Sequence, residues 1–251
     1  TGLTVCDVHS TFSIYGEVIV LLLIQLGGLG ILTLSSVIIL LITKKISFYT
    51  KRLVSEGLNH EAKIDLYSHI KKVVFVVLLI EAIGAALLFF VFVGKYPWYK
   101  ALYYGIFHSV SAFCNAGISL FRYSLEGYTT HWYMNIIISL LVIFGGLGFT
   151  AIIELYEYLI GKRRKISVNS KFSTLITLLL LGVGTFLFFI LEYRYTGELT
   201  DGSVQQRLLV SFFHSASLRT AGFSTVSIAG ISGTTALLCM LLMFIGASPN
   251  S

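Results

Sequence analysis

Two stretches of this chain read almost alike. Phe107-His108-Ser109-Val110-Ser111-Ala112-Phe113-Cys114-Asn115-Ala116-Gly117-Ile118-Ser119 is matched by Phe213-His214-Ser215-Ala216-Ser217-Leu218-Arg219-Thr220-Ala221-Gly222-Phe223-Ser224. Both hold Phe-His-Ser, then Asn or Thr before Ala-Gly, then an apolar residue and Ser. One residue is missing from the second copy, and the two glycines lie 105 residues apart. The opening residues Thr1-Gly2-Leu3-Thr4 fit the tail of the same motif, with Gly2 in register. Glycines in the apolar runs that follow repeat as well. Leu26-Gly27-Gly28-Leu29-Gly30 matches Phe144-Gly145-Gly146-Leu147-Gly148, and Phe244-Ile245-Gly246 takes the same place in the third copy. From loop glycine to helix glycine the distances are 25, 28 and 24 residues. Long internal repeats in an apolar chain point to pseudo-symmetric units around a shared site.

Composition sets the solvent. Hydrophobic residues make up 56% of the chain and charged residues 12%, about half the charge of an ordinary soluble domain. The net charge of +6 does not point to nucleic acid, because the basic residues fall in short loops between apolar runs. The three cysteines, Cys6, Cys114 and Cys239, are too scattered for a disulfide framework or a zinc site. They read as small buried hydrophobes. Paired carboxylates, a Ser–Lys dyad and a His-rich zinc pattern are all missing, so an enzyme is not expected.

Crossing a bilayer takes about 20 apolar residues. Segments 18–43, 73–93, 132–160 and 172–191 meet or approach that length, and 234–245 reads as the start of another. Segments 101–113 and 204–218 are too short to cross. Linkers 44–72 and 161–171 carry twelve of the eighteen basic residues and are expected on the cytoplasmic side. Tyr96, Trp98, Tyr99, Tyr128, Trp132 and Tyr133 suit an aromatic belt at the opposite interface. Residues 94–131 then begin and end outside, so the short helix within them must dip in and return. Non-helical backbone survives at membrane depth only where it is buried in protein or lines a watery path. The unit is therefore helix, re-entrant loop, helix, and its topology argues for a pore.

A dehydrated cation needs oxygens in place of its water shell, and rings of backbone carbonyls from several loops supply them. Such backbone often requires positive φ, which glycine adopts at no steric cost. Gly2, Gly117 and Gly222 suit that role, at the negative ends of short helices. The loops hold no carboxylate, so a charged-ring filter is not expected. Three loops are present and a fourfold ring needs four. A further unit is expected after Ser251, and the first outer and pore helices before Thr1. The resulting division is 1–43 (filter and inner helix of repeat 1), 44–72 (linker), 73–160 (repeat 2), 161–171 (linker) and 172–251 (repeat 3, reaching the start of a gating loop). The fold class is an all-α membrane protein built of pseudo-fourfold helix–pore helix–filter loop–helix units.

These motifs resemble the Trk/Ktr/HKT superfamily of potassium transporters. Residues 109–117 resemble its second filter segment and residues 219–225 its third. Phe244-Ile245-Gly246-Ala247-Ser248-Pro249 resembles the start of its intramembrane gating loop. Within the superfamily the chain is most similar to bacterial Ktr membrane subunits of the KtrB type. The resemblance implies a filter of Thr1, Gly2, Leu3, Asn115, Ala116, Gly117, Ile118, Thr220, Ala221, Gly222 and Phe223, with a gate at Gly246, Ala247, Ser248 and Pro249. It also implies K+ as the ion with Na+ as a stimulant, a homodimer in a lipid bilayer, and a KtrA-like ring of cytosolic nucleotide-binding subunits. The location implied is the bacterial plasma membrane. Ala247 and Asn250 stand where the family's gating loop often has glycine, which implies a stiffer gate.

Several residues stay open at this level. Gly117 and Gly222 read as filter glycines, with helix C-caps as the plainer alternative. The Gly-Gly-Leu-Gly runs favour close helix packing. His108 and His214 favour structural hydrogen bonds over a proton relay. Arg219 is expected to tie down its loop through a carboxylate or carbonyls, and Glu81 is either functional or partnered across an interface. Glu154 and Glu157 are expected to pair with the 162–165 basic run. The 44–72 linker is expected to rest on anionic lipid or to dock a regulator. An alternating-access carrier for another solute is the competing function; the short re-entrant helices argue against it.

Overall fold

In this computed structural model the chain is described over residues 8–28, 66–162, 165–193, 203–227 and 230–246. These residues are helical apart from their connections, and no strand occurs among them. The helices are α1 (Val8–Thr11), α2 (Ile14–Gly28), α3 (Leu66–Phe92), α4 (Trp98–Phe113), α5 (Trp132–Leu147), α6 (Phe149–Leu159), α7 (Val168–Tyr193), α8 (Val204–Thr220) and α9 (Gly233–Ile245). A 3₁₀ turn lies at Glu126–Tyr128.

Lys71–Phe92 within α3 and Val168–Glu192 within α7 are each long and apolar enough to cross a membrane. The lengths follow from largely apolar runs with no proline. Helix starts are set by polar caps. Ser203 and Gln206 form a reciprocal capping box at α8, and the Ser232 hydroxyl accepts from Thr235 N at 3.1 Å at α9. Such caps satisfy backbone donors that the first turn leaves without partners. The sixteen residues of α4 and seventeen of α8 rise about 24–26 Å, less than the ~30 Å hydrocarbon core. These two short helices are largely buried by their neighbours. By contrast α7 leaves Phe172, Leu175, Leu179 and Phe186 about three-fifths exposed, a surface suited to lipid.

The main core joins α3, α4, α5 and the connection between α4 and α5. Phe92 is fully buried at its centre. Its ring meets Tyr96, Tyr104, His108, Phe121 and Tyr128, with centroids 5.7–6.5 Å apart. Tyr128 and Tyr96 thus face this cluster, whereas Trp98, Tyr99, Trp132 and Tyr133 are exposed. Only those four present the rings expected of an interfacial belt.

One expectation needs correction. Segment 132–160 is two helices, not one: α5 and α6 meet at Gly148 with a 104° bend. Gly148 has φ 87°, a conformation that ends the helical hydrogen-bond ladder. Glu157 Oε1 pairs with Lys72 Nζ of the first basic linker at 3.0 Å, a partner the sequence did not suggest; Arg163 and Arg164 of the 162–165 run lie outside the described residues. The Glu154 carboxylate accepts from Ser167 N at 2.9 Å. The bend turns α6 away from the line of α5.

Candidate functional site

The loops after α4 and α8 are built from the same hydrogen bonds. Histidine comes first in each copy. His108 bonds Tyr104 O at 2.8 Å and Ser119 Oγ at 3.0 Å. His214 bonds Val210 O at 2.9 Å and Ser224 Oγ at 3.4 Å. Each ring therefore staples its short helix to the segment leaving the loop, as expected of a structural residue.

The serines repeat as well. Ser109 Oγ donates to Glu81 O of α3 at 2.7 Å, and Ser215 Oγ to Leu181 O of α7 at 2.9 Å. Gly84 and Gly184 give these serines room, since a Cβ at either glycine would lie 2.5 or 2.4 Å from the hydroxyl oxygen. Two residues further on, Ser111 Oγ donates to Ile118 O at 2.6 Å, and Ser217 Oγ to Phe223 O at 2.7 Å. Main-chain closure matches too. Ala116 N and Gly117 N reach Ser111 O at 2.9 and 3.5 Å, and Ala221 N and Gly222 N reach Ser217 O at 2.8 and 2.9 Å.

The chain reverses at Gly117, φ 69°, and at Gly222, φ 89°. A side chain at positive φ is strained, and glycine is free of that cost. In the second loop Asn115 also adopts φ 53°, which asparagine tolerates better than most residues. Each pore helix thus ends at its loop, directing the negative end of its dipole there. Ala116 is part-exposed, while Ala221 and Phe223 are fully buried.

The two loops touch. The Asn115 side chain and Thr220 Oγ1 lie 2.8 Å apart. The surrounding donors and acceptors orient the amide so that its nitrogen donates to Thr220 Oγ1 and to Val142 O at 3.2 Å. Its oxygen then accepts from Gly146 N at 3.1 Å. Asn115 therefore joins its own loop to the neighbouring loop and to the inner helix α5. Gly145 lets that helix approach, since a Cβ there would fall 1.9 Å from Phe113 O. Gly28 of α2 packs similarly on Cys114, where a Cβ would lie 2.2 Å from Sγ.

A second clamp lies beyond the glycines. Leu125 N donates to Ser224 O at 2.9 Å, Ser224 N to Ser124 Oγ at 3.1 Å, and Thr129 Oγ1 to Thr225 O at 2.5 Å. The connection between α4 and α5 thus grips the segment that leaves the third loop.

Around the loops, several polar side chains in apolar helices are bonded to one another or to backbone. Glu81 Oε1 accepts from Gln25 Nε2 of α2 at 3.1 Å and from Cys114 Sγ at 3.6 Å. Tyr103 Oη donates to Glu17 Oε2 at 2.7 Å, joining the pore helix α4 to α2. Arg219, 7% exposed, donates from Nε to Gly246 O and from Nη2 to Thr177 Oγ1, both at 3.4 Å. Gly246, at φ 66°, ends α9. Sequence reasoning placed Arg219 but missed Thr177, Gln25, Ser124 and Thr129. Gln25 and Thr177 carried a signal, being polar groups inside apolar helices. Ser124 and Thr129 carried none. Thr1, Gly2, Leu3, Ala247, Ser248 and Pro249 lie outside the described residues, and among the described residues no group of His, Cys, Asp or Glu could hold a metal ion.

Long apolar helices, short buried helices and reversing loops at their ends define the class: an all-helical integral membrane protein of transport type. All of it, residues 1–251, matches the TrkH family model, described as cation transport protein, and the chain belongs to that family. It is similar to Ktr system potassium uptake protein B of Vibrio alginolyticus, 36% identical over 254 residues, covering 100% of this chain and 55% of that protein. The protein of the same name from Bacillus subtilis (strain 168) is 34% identical over 252 residues, covering 100% and 56%. Potassium/sodium uptake protein NtpJ of Enterococcus hirae is 34% identical over 254 residues, covering 100% and 55%. The crystal structure of the potassium transporter TrkH from Vibrio parahaemolyticus shares the fold, with a TM-score of 0.68 at 20% identity, covering 100% of this chain and 48% of that one. The chain spans about half the length of the curated relatives it matches. The family is one of bacterial plasma-membrane transporters, not of enzymes.

Proposed function

We propose that this chain forms most of the pore of a potassium uptake subunit. In this reading K+ sheds its water onto main-chain carbonyls of Thr1–Leu3, Asn115–Ile118 and Thr220–Phe223, with a fourth loop completing the ring. The observation that carries the reading is the direct link between two reversing loops, Asn115 to Thr220 at 2.8 Å. Each loop sits at the C-terminus of a buried pore helix and turns at a glycine with positive φ. In both loops a serine hydroxyl engages the carbonyl of the last residue assigned to the filter, Ile118 or Phe223, so these two oxygens anchor the loop to its short helix. Two similar proteins are potassium uptake proteins, which supports the choice of ion. The mixed potassium/sodium name of a third keeps sodium as a second ion or a stimulant.

Gly246, Ala247, Ser248 and Pro249 form the gate beneath the filter in this proposal. The subunit works as a homodimer in lipid, under control of a KtrA-like cytosolic nucleotide-binding ring. The test is rubidium and sodium uptake by the full-length protein in cells lacking their own potassium uptake. Gly117→Ser and Gly222→Ser should each lower the preference for potassium over sodium. Unchanged discrimination in both variants would remove the filter assignment.

A further inference from the structure

Where α5 stops, the chain has not finished crossing. The sixteen residues of α5 rise about 24 Å from Trp132, against a hydrocarbon core of ~30 Å. The next helix, α6, then leaves at 104° to the line of α5, a little past a right angle. A helix turned so sharply near the end of a crossing runs along the inner membrane boundary, not through it. Its residues fit that course. Ala151, Ile152, Ile153 and Glu154 are buried in the protein. Tyr156, Tyr158, Leu159 and Ile160 are exposed, Leu159 to 82%. Lysines surround this apolar end. Gly161, at φ 75°, closes α6: its N–H donates to Tyr158 O at 3.0 Å, and Lys162 N donates to Glu157 O at 2.9 Å. That double closure is a Schellman motif, and it fixes Lys162 directly beyond Leu159 and Ile160. The Lys72–Glu157 pair brings the start of α3 to α6. The bond from Ser167 N to Glu154 brings the start of α7. Lys71, Lys162 and Lys171 are exposed, and Val168 and Phe172 extend the exposed apolar surface along α7.

We propose that α6 is an interfacial helix whose end, with the starts of α3 and α7, forms a site for anionic phospholipid of the inner leaflet. Tyr156, Tyr158, Leu159 and Ile160 enter the boundary between headgroups and acyl chains, where rings with a polar tip and an apolar body are favoured. Lys71, Lys162 and Lys171 take the phosphates, each laying its apolar stem along the same surface. Charge complementarity selects the occupant: lysines beside an exposed apolar helix end match the negative inner leaflet. The site needs only the membrane location of the chain. It makes no use of the filter or of the ion that passes through it.

The test uses full-length protein with photoreactive benzoylphenylalanine in place of Leu159. Illumination in native membranes should give a phospholipid adduct, read by mass spectrometry. In vesicles of equal phosphatidylcholine and phosphatidylglycerol, adducts with phosphatidylglycerol should outnumber those with phosphatidylcholine. A lysine at the surface favours anionic lipid by a factor of about five. Lys71→Gln, Lys162→Gln and Lys171→Gln should therefore each lower the headgroup ratio by up to about fivefold. High salt should lower it with all three lysines in place. Lys100→Gln, exposed at the start of α4 on the opposite side, should leave the ratio unchanged. An adduct to a protein, whether a second copy or a cytosolic partner, would overturn the proposal, and so would no adduct at all. A lipid adduct whose headgroup ratio ignores both the three lysines and salt would overturn it too. If a lysine variant fails to reach the membrane, the salt series decides. Rubidium uptake does not enter, so failure of the potassium reading would leave these adducts as they are.

Discussion

The second and third loops share a scaffold and differ in what leans on it. Histidine to the exit serine, serine to the outer helix and serine to the post-glycine carbonyl recur at matching positions. The inner helices do not recur. In the second copy α5 presses glycine onto the end of the pore helix at Gly145. In the third, the residue in register is Ile245, 52% exposed, and Arg219 spans the gap to Gly246 instead. The scaffold is what any such loop needs in order to reverse. The inner-helix contact is where the copies have room to take different jobs, one clamped and one tethered.

The sharpest way to break this contrast is at those in-register positions. A Cβ at Gly145 would overlap a backbone oxygen, which no rotamer change relieves. Gly145→Ala should therefore cost at least about 3 kcal/mol, the upper end for overpacking. Ile245→Ala, at an exposed site, should cost little. Heating the detergent-solubilised protein and measuring the fraction that stays monodisperse compares the two. Equal losses would mean that the inner helices pack alike after all.

Asn115 comes next in size. Asn115→Leu strips contacts to Thr220, Val142 and Gly146 at once, and should cost about 2–3 kcal/mol by leaving buried groups without partners. Thr220→Val removes one of those contacts and should cost about 1 kcal/mol. If the double variant loses as much as the sum of the singles, the loops are not energetically joined. Smaller still is the shared scaffold: Ser111→Ala and Ser217→Ala should each cost about 1 kcal/mol, and by the same amount. A difference larger than either value would show that the matched distances hide unequal loops.

How far this was legible depends on range. The loops could be read because they repeat in sequence, and because pore helices too short to cross leave few topologies open. His108 and His214 were legible as structural groups for the same reason. The break at Gly148 was not, since segment 132–160 is apolar enough on average to read as one span, and hydropathy carries no record of a bend. The partner of Arg219 was expected to be a carbonyl or carboxylate, and a carbonyl at Gly246 fits. Its second partner, Thr177, lies 42 residues away on another helix, a pairing that no local pattern encodes. Glu157 shows the limit plainly: the nearest basic run in sequence suggested the partner, and the fold supplied Lys72 from 85 residues away.

That ion pair gives the smallest expected effect and the clearest reading of the bend. Two causes could hold α6 at its 104° angle: the backbone at Gly148, or the tie from Glu157 to Lys72 on α3. The Lys72 side chain is 56% exposed and Glu157 24%. Exposed pairs contribute about 0–1 kcal/mol because water and salt screen them and two long side chains must be immobilised. Gly148 sits at φ 87°, where a residue with a Cβ would cost roughly 1–2 kcal/mol. Lys72→Ala should therefore change heat stability by less than about 0.5 kcal/mol, and by less still at high salt. Gly148→Ala should lose more, because it opposes the turn that directs α6 off the line of α5. If Lys72→Ala proves the more damaging of the two, the ion pair rather than the backbone sets the angle, and the second inner helix is held by a tether much as the third is.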